Sequence, residues 1–273
     1  WAERLKLQLV ALVPLEYWNT TDGQRLARRV SLSGGMLGAV LLPPFNTCLA
    51  KTAIKQMIYL AEKYECGIDL HIDEKETNPG EGVRLLLNVL DEMKTSIPIT
   101  CSHLSSMGLL KPSALDRLAN RLASHRVNVI ALPLTNSWLL GRKTFYTPSV
   151  RPMAPIKQLQ RAGAIVAVGG DNVQDPWFPC GNLDPISLMS FSLPLTQLAP
   201  WQRLGLAPFT TAASNVMNLD WDGILRVGES ADLIVINASN WSEALSLSRP
   251  RKILVKGVWL DDQDEEKKRT NCQ

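Results

Sequence analysis

No apolar run in this 273-residue chain approaches the roughly 18 residues of a membrane-spanning helix, and no signal peptide opens it. Cysteine is sparse and scattered: Cys48, Cys66, Cys101, Cys180 and Cys272 show no C-x-x-C spacing. That argues against a disulfide framework and points to the reduced thiols of a cytoplasmic protein. Charge of one sign is also lacking, since 29 basic residues face 26 acidic ones for a net charge of +3. A balance so close to neutral gives nucleic acid no electrostatic footprint, and the one basic cluster, Arg25, Arg28 and Arg29, reads as a solvated helix face. Histidine is scarce too, with only His71, His103 and His125 in the chain.

What is present is a folded, globular composition, 45% hydrophobic and 20% charged. Strand-like runs end near Val13, Leu42, Ile72, Ser102, Leu134 and Gly170, the first filling Leu5 to Pro14. Between them, helical spacing runs over Cys48 to Tyr64, Gly82 to Met93 and Ser113 to His125, with a shorter helix over Pro155 to Ala162 stopped by Gly163. Six strand–helix units in alternation predict a parallel α/β sheet, and reactive residues at the strand ends favour a (β/α)8 TIM-type barrel. Such a barrel needs eight strands, and the chain opens at Trp1 without an initiator Met. The expectation is therefore a barrel truncated at the front, lacking its first two β/α units. After Asp171 the alternation stops. Leu183 to Leu206 reads as helix broken by Pro194 and Pro200, Thr210 to Leu219 as a short helix, and Leu233 to Ile236 and Arg251 to Leu260 as strands. The expected organisation is a barrel domain over 1–222, a small C-terminal β domain over 223–260 and a disordered tail over 261–273.

Three of the strand-like runs close on residues that carry chemistry: Asp69-Leu70-His71-Ile72-Asp73-Glu74, Ser102-His103 and Gly169-Gly170-Asp171-Asn172. Period-two alternation points Ile68, Leu70 and Ile72 to one face and Asp69, His71 and Asp73 to the other. The same parity sets His103 inward with Cys101, and Asp171 inward with Gly169 and Ala167. Two histidines and an aspartate at matching strand ends make a metal-hydrolase arrangement, with small residues beneath Asp171 leaving room for metal and substrate. Glu74, three positions after His71, can act as proton shuttle above a water on that metal. His125 sits where a helix C-terminus favours positive charge and has no catalytic role.

These pieces, together with Thr100-Cys101-Ser102-His103-Leu104-Ser105-Ser106-Met107, Leu132-Pro133-Leu134-Thr135-Asn136, Leu140-Gly141-Arg142, Gly169 to Pro179 with its Asp175-Pro176-Trp177, and Ser230-Ala231-Asp232-Leu233-Ile234-Val235, resemble the cytosine deaminase-like branch of the amidohydrolase superfamily. The resemblance runs over nearly the whole chain. It implies His71 and Asp171 as metal ligands, Glu74 as proton shuttle, His103 beside the attacking hydroxide, Asp171 as a second proton handler, and Trp177 as a wall of the substrate pocket. It implies one divalent metal ion, zinc or iron. Members also carry a His-x-His pair on the first barrel strand, absent here, so half the metal shell is expected to be missing and this chain alone to be inactive. At the first strand end the pattern calls for an amide-reading glutamine where this chain has Leu15, and for a second aspartate where it has Asn172. An apolar Leu15 in the pocket would leave a cytosine edge partly unpaired, so a different ring is expected as substrate.

The function expected is hydrolysis of a non-peptide C–N bond of a small cyclic substrate, as in deamination of a pyrimidine-like heterocycle by metal-bound hydroxide. The other zinc deaminase design needs P-C-x-x-C, and Pro179-Cys180-Gly181-Asn182 lacks its second cysteine. No lysine lies in Met36 to Leu42 to form a carbamylated bridge, which argues for a single metal. The rival is a non-catalytic barrel relic serving as a binding or structural subunit. Expected partners are a small heterocyclic substrate, with neither nucleic acid nor membrane, and homo-oligomer formation is left open.

Overall fold

The structure, a computed structural model, describes residues 5–247 and 249–260. Six strands, β1 (Val10–Pro14), β2 (Met36–Leu41), β3 (Ile68–Ile72), β4 (Ile99–His103), β5 (Asn128–Ala131) and β6 (Val166–Val168), pair in sequence order into one sheet. Every pairing is parallel. Parallel neighbours require crossovers, and helices supply them: α1 (Thr21–Leu32), α2 (Thr47–Lys63), α3 (Glu81–Glu92), α4 (Pro112–Ser124), then α5 (Pro133–Leu139) and α6 (Ile156–Arg161) between β5 and β6. The starts are encoded locally. Thr20 and Asn46 accept backbone N–H groups of α1 and α2 through their side chains, and Pro112 occupies the first turn of α4.

Register sorts the residues of the sheet into two faces. Leu37, Ile68 and Ile99 lie side by side, as do Leu70, Cys101, Val129 and Val166, and all are buried. They share one apolar core with Ile54, Met57 and Ile58 of α2 and with Leu86 and Leu87 of α3. The opposite face carries Leu12 and Val40, 46% and 38% exposed, and the polar Asp69, His71, Thr100 and Ser102. Of the candidate site residues, His71 therefore stands on the sheet face that the helices leave free.

Beyond β6 come α7 (Pro185–Thr196), α8 (Arg203–Leu206) and α9 (Thr211–Val216), then β7 (Leu233–Ile236), α10 (Trp241–Ala244), β8 (Arg251–Val255) and β9 (Val258–Trp259). The last three strands form an antiparallel sheet in the order β7-β8-β9. The expected single strand from Arg251 to Leu260 is in fact a hairpin. Lys256 and Gly257 both take positive φ, as a two-residue primed turn requires.

Three other expectations change. The first strand starts at Val10, leaving Leu5, Leu7 and Leu9 exposed without strand structure. The fifth stops at Ala131 instead of Leu134, because Pro133 opens α5. Pro194 does not break the helix over 185–196. It falls in the last turn, where its missing N–H removes one bond, and the helix ends at Gln197 in left-handed conformation. Among the described residues no helix is long and apolar enough to cross a membrane. The tail expected over 261–273 lies outside the described residues.

Candidate active site

The alternation that places His71 does not place its neighbours. His71 pairs with Ser102 across the sheet, and Ser102 Oγ donates to Asp69 Oδ1 at 2.9 Å on the same free face. His103, however, pairs with Ile72, which assigns it by parity to the helix-packed face. Cys101 does stay there, fully buried, so the expectation that it shares the inward face with His103 is corrected. His103 escapes because it and Leu104 adopt φ of 76° and 51°, which ends the alternation. Its Nε2 then lies 3.1 Å from His71 Nδ1, with ring centroids 4.9 Å apart.

Asp73 is corrected in the opposite sense. With φ of 56° it turns away from the site and is completely buried. Its two carboxylate oxygens accept from the N–H groups of Gly82 and Val83 at 2.9 and 3.0 Å, capping the first turn of α3. Burial pushes this carboxyl up to about 6, against the pull of those two hydrogen bonds.

Glu74, His103 and Asp171 converge, with one ligand atom from each lying within 4.8 Å of the others. Glu74 Oε1 is 3.3 Å from His103 Nδ1. Burial, and then the facing Asp171, push the Glu74 carboxyl up to about 7. Burial, and then His71, push His103 down to about 3, so its imidazole is neutral. Burial also raises Asp171, which the Thr135 hydroxyl and His71 pull back. Two acids and one imidazole, with Glu74 raised by burial and by Asp171, and Asp171 by burial and by Asp175, are a donor set that a divalent cation would relieve, while His71 stands beside His103 and outside that set.

Sequence reasoning missed the residue at the centre of this group. Asn136, on α5 and fully buried, donates through Nδ2 to Glu74 Oε1 at 3.2 Å and lies 3.1 Å from His103 Nδ1. Ser105 Oγ donates to its Oδ1 at 2.7 Å. The preceding Thr135 supports Asp171 and accepts from the Asn172 N–H at 3.3 Å. The available signal is Thr135-Asn136 itself, which a strand pattern running to Leu134 obscures.

The substrate residues fall differently. Leu15 is 2% exposed and belongs to the apolar core with Trp18, not to the pocket expected for it. It starts a 3-10 turn (Leu15–Asn19) directly after β1, and the Trp18 indole donates to the Gly38 carbonyl at 3.2 Å, drawing the turn inward. Asn172 spends its side-chain amide on Asp175 Oδ2 at 2.6 Å, while Asp175 Oδ1 accepts the Trp177 and Phe178 N–H groups. Trp177 stands 58% exposed on that braced loop.

A model of the amidohydrolase family matches residues 17–263 of this chain. The chain belongs to the amidohydrolase family. Among curated relatives of this amidohydrolase, a pterin deaminase of Rhizobium rhizogenes is 28% identical over 265 residues, covering 96% of the chain and 60% of that protein. An N-isopropylammelide isopropyl amidohydrolase of Pseudomonas sp. is 22% identical, covering 96% and 62%. The crystal structure of a Klebsiella pneumoniae 5-methylcytosine deaminase liganded with 5-fluorocytosine superposes with a TM-score of 0.77 at 23% identity, covering 94% of the chain and 63% of that one. The amidohydrolase chain described thus spans about 60% of the length of the curated relatives it matches.

Proposed function

We propose that this chain carries the reacting centre of a metal-dependent hydrolase that cleaves a non-peptide C–N bond of a small aminated heterocycle. The observation that supports this most is the convergence of Glu74, His103 and Asp171 at the C-terminal ends of three parallel strands, in a member of the amidohydrolase family. The reading includes a (β/α)8 barrel of which the six described strands form part, since barrels gather reactive groups at this end. Relatives act, by their names, on pterin, an alkylated ammelide and 5-methylcytosine, which favours an amino-substituted ring as substrate class.

His71 and Asp171 would hold the metal ion, and imidazole with carboxylate suits zinc or ferrous iron. When bound, such a cation supplies Lewis-acid activation of water. Glu74 moves the proton. Its carboxyl, raised to about 7, both accepts and releases protons near neutral pH, and its partner is a ring nitrogen next to the carbon under attack. His103 remains a neutral hydrogen-bonding group beside that carbon, and Trp177 closes the pocket from its loop.

The test is Glu74→Gln in full-length protein, assayed by ammonia release with pterin, cytosine, 5-methylcytosine and aminotriazine substrates. Metal content by elemental analysis should be retained while turnover falls roughly 10²-fold or more. Near-native turnover on any good substrate would remove Glu74 from the mechanism. Metal-free full-length protein without activity on any ring would instead support a relic.

A further inference from the structure

We propose that Glu76 is a positioning residue that clamps the loop over 140–152 to the segment carrying Glu74, and that the cavity between them receives the substituent of a substituted ring. The loop follows α5 and turns on a glycine. Gly141 takes φ of 74°, and a Cβ there would lie 2.1 Å from the Val150 carbonyl oxygen, so the two limbs of the loop meet where only glycine fits. Two ties run back to α5. The Arg142 guanidinium sits 4.8 Å over the Trp138 ring, and Arg151 Nη1 donates to the Ser137 carbonyl at 2.5 Å. A third tie leaves that element: the Gly141 N–H donates to Glu76 Oε1, which comes from the connection between β3 and α3.

That bond closes a cavity of about 280 Å³, lined by Glu76, Leu109, Lys143, Tyr146, Thr147 and Ser149 among others. These residues follow β3, β4 and β5 at their C-terminal ends. Glu76 comes shortly after Ile72, Leu109 closes the 3-10 turn (Ser105–Leu109) that follows His103, and the others belong to the loop beyond α5. The cavity therefore lies at the reacting end of the sheet. Glu76 is two residues from Glu74, a span of at most about 7 Å along the chain. Pockets that take a whole ligand run to about 300–1,000 Å³, so this space, the room of about nine waters, suits part of one. Its lining sets Leu109 against three hydroxyls and one amine, and Lys143 and Tyr146 share a tight turn through their backbones. Such a lining fits a short substituent bearing a hydroxyl group. The Glu76 carboxylate is engaged with Gly141, so it shapes the space and leaves recognition to the loop.

The subsite rests on the function proposed above, whereas the clamp does not. The clamp is read by limited trypsin digestion of full-length protein, because Arg142 and Lys143 stand exposed on the loop and cleavage follows the population of its opened form. Glu76→Ala should speed cutting at these two bonds roughly 3- to 10-fold, the scale that one hydrogen bond controls. Glu76→Gln keeps an acceptor oxygen and should be cut at the wild-type rate. Gly141→Ala should open the loop with Glu76 in place, since its Cβ meets the Val150 carbonyl. The subsite is read from turnover of pterin and 6-hydroxymethylpterin by metal-loaded full-length enzyme. The wild type should have the lower KM for the substituted ring. Glu76→Ala should erase that difference while kcat changes far less, and Glu76→Gln should keep it. Ser149→Trp, which fills the cavity from an exposed position, should also erase it. Equal cutting of wild type and Glu76→Ala would overturn the clamp, as would Glu76→Gln behaving like Glu76→Ala. Equal KM values for the two pterins in the wild type, or a difference that survives Ser149→Trp, would overturn the subsite. If Glu74→Gln keeps full turnover while the trypsin result holds, the function reading fails and the clamp stands.

Discussion

Asp73 carries the sharpest stability prediction, because strand alternation assigns it to the site while the structure makes it a helix cap. Asp73→Ala removes the acceptors of two buried N–H groups, those of Gly82 and Val83. The formal N-cap residue, Gly80, has no side chain to replace them. Each buried donor left without a partner costs about 1–3 kcal/mol, and losing a carboxylate at a helix N-terminus adds about 0.3–1 kcal/mol. Against this, Asp73 is itself buried and its carboxyl is pushed up to about 6, so deleting it relieves part of a desolvation penalty. The balance is a loss of roughly 2–4 kcal/mol. Asp73→Asn keeps one acceptor and turns an amide donor toward a second N–H, so its loss should be about half as large.

Urea unfolding followed by tryptophan fluorescence measures this. With a slope near 3 kcal/mol per molar, the midpoint of Asp73→Ala should fall by about 1 M. Amide hydrogen exchange supplies a local check, since Gly82 and Val83 should lose protection before the rest of α3. Stability within about 0.5 kcal/mol of wild type, with both amides still protected, would refute the capping argument.

Other outcomes follow from the same geometry. Gly82→Ala should lower the thermal midpoint despite the better helix propensity of alanine, worth about 1 kcal/mol, because a Cβ there would lie 2.9 Å from both Asp73 Oδ1 and Ile72 Cγ1. An unchanged or raised midpoint would show that the strand end yields easily. Leu15→Gln should destabilise the fold by about 1–3 kcal/mol, as an amide enters the apolar core, and leave substrate preference alone, which urea midpoints and a substrate panel test together. Asp184 caps α7 and bonds Arg251 of β8. Partial burial raises its carboxyl, but Arg251, Ser187 and the Ile186 N–H hold it below the ordinary range. A depressed carboxyl stabilises the fold above its unfolded pKa of about 4, and that contribution is lost as pH falls below it. Asp184→Asn should therefore flatten the acid limb of stability between about pH 4 and 2, and an unchanged limb would remove this ion pair from the account.

The α/β alternation was legible because each helix buries one apolar stripe and its caps are local. The helix read over Cys48 to Tyr64 runs Thr47–Lys63, and that read over Ser113 to His125 runs Pro112–Ser124. The positions of His71, Glu74, His103 and Asp171 at or just after strand ends were legible from the apolar runs they follow. Asn136 was not, since its importance arises from three partners 31, 33 and 62 residues away, Ser105, His103 and Glu74. Leu15 was misplaced for the converse reason. Resemblance assigned its position to the pocket, and the 3-10 turn it opens takes the side chain into the core.

The deeper reason lies in what alternation can deliver. A regular strand sends every second residue to one face, so adjacent residues at its end cannot both serve a site and the core by pattern alone. Here that limit is lifted by left-handed residues at the strand ends: Asp73, His103, Leu104 and Asp171, none of them glycine. Each such conformation costs on the order of 1 kcal/mol and persists only where neighbours enforce it. The enforcement is visible: Leu104 N–H donates to the Ile72 carbonyl at 3.1 Å, Ser106 N–H to the Asp73 carbonyl at 3.1 Å, and Asn172 N–H to the Thr135 hydroxyl at 3.3 Å. One turn thus brings His103 round to His71, and another takes Asp73 out to cap α3. The left-handed backbone falls at two candidate site residues, His103 and Asp171, and beside them at Asp73 and Leu104, because each turn redirects a side chain that the regular pattern would have sent elsewhere.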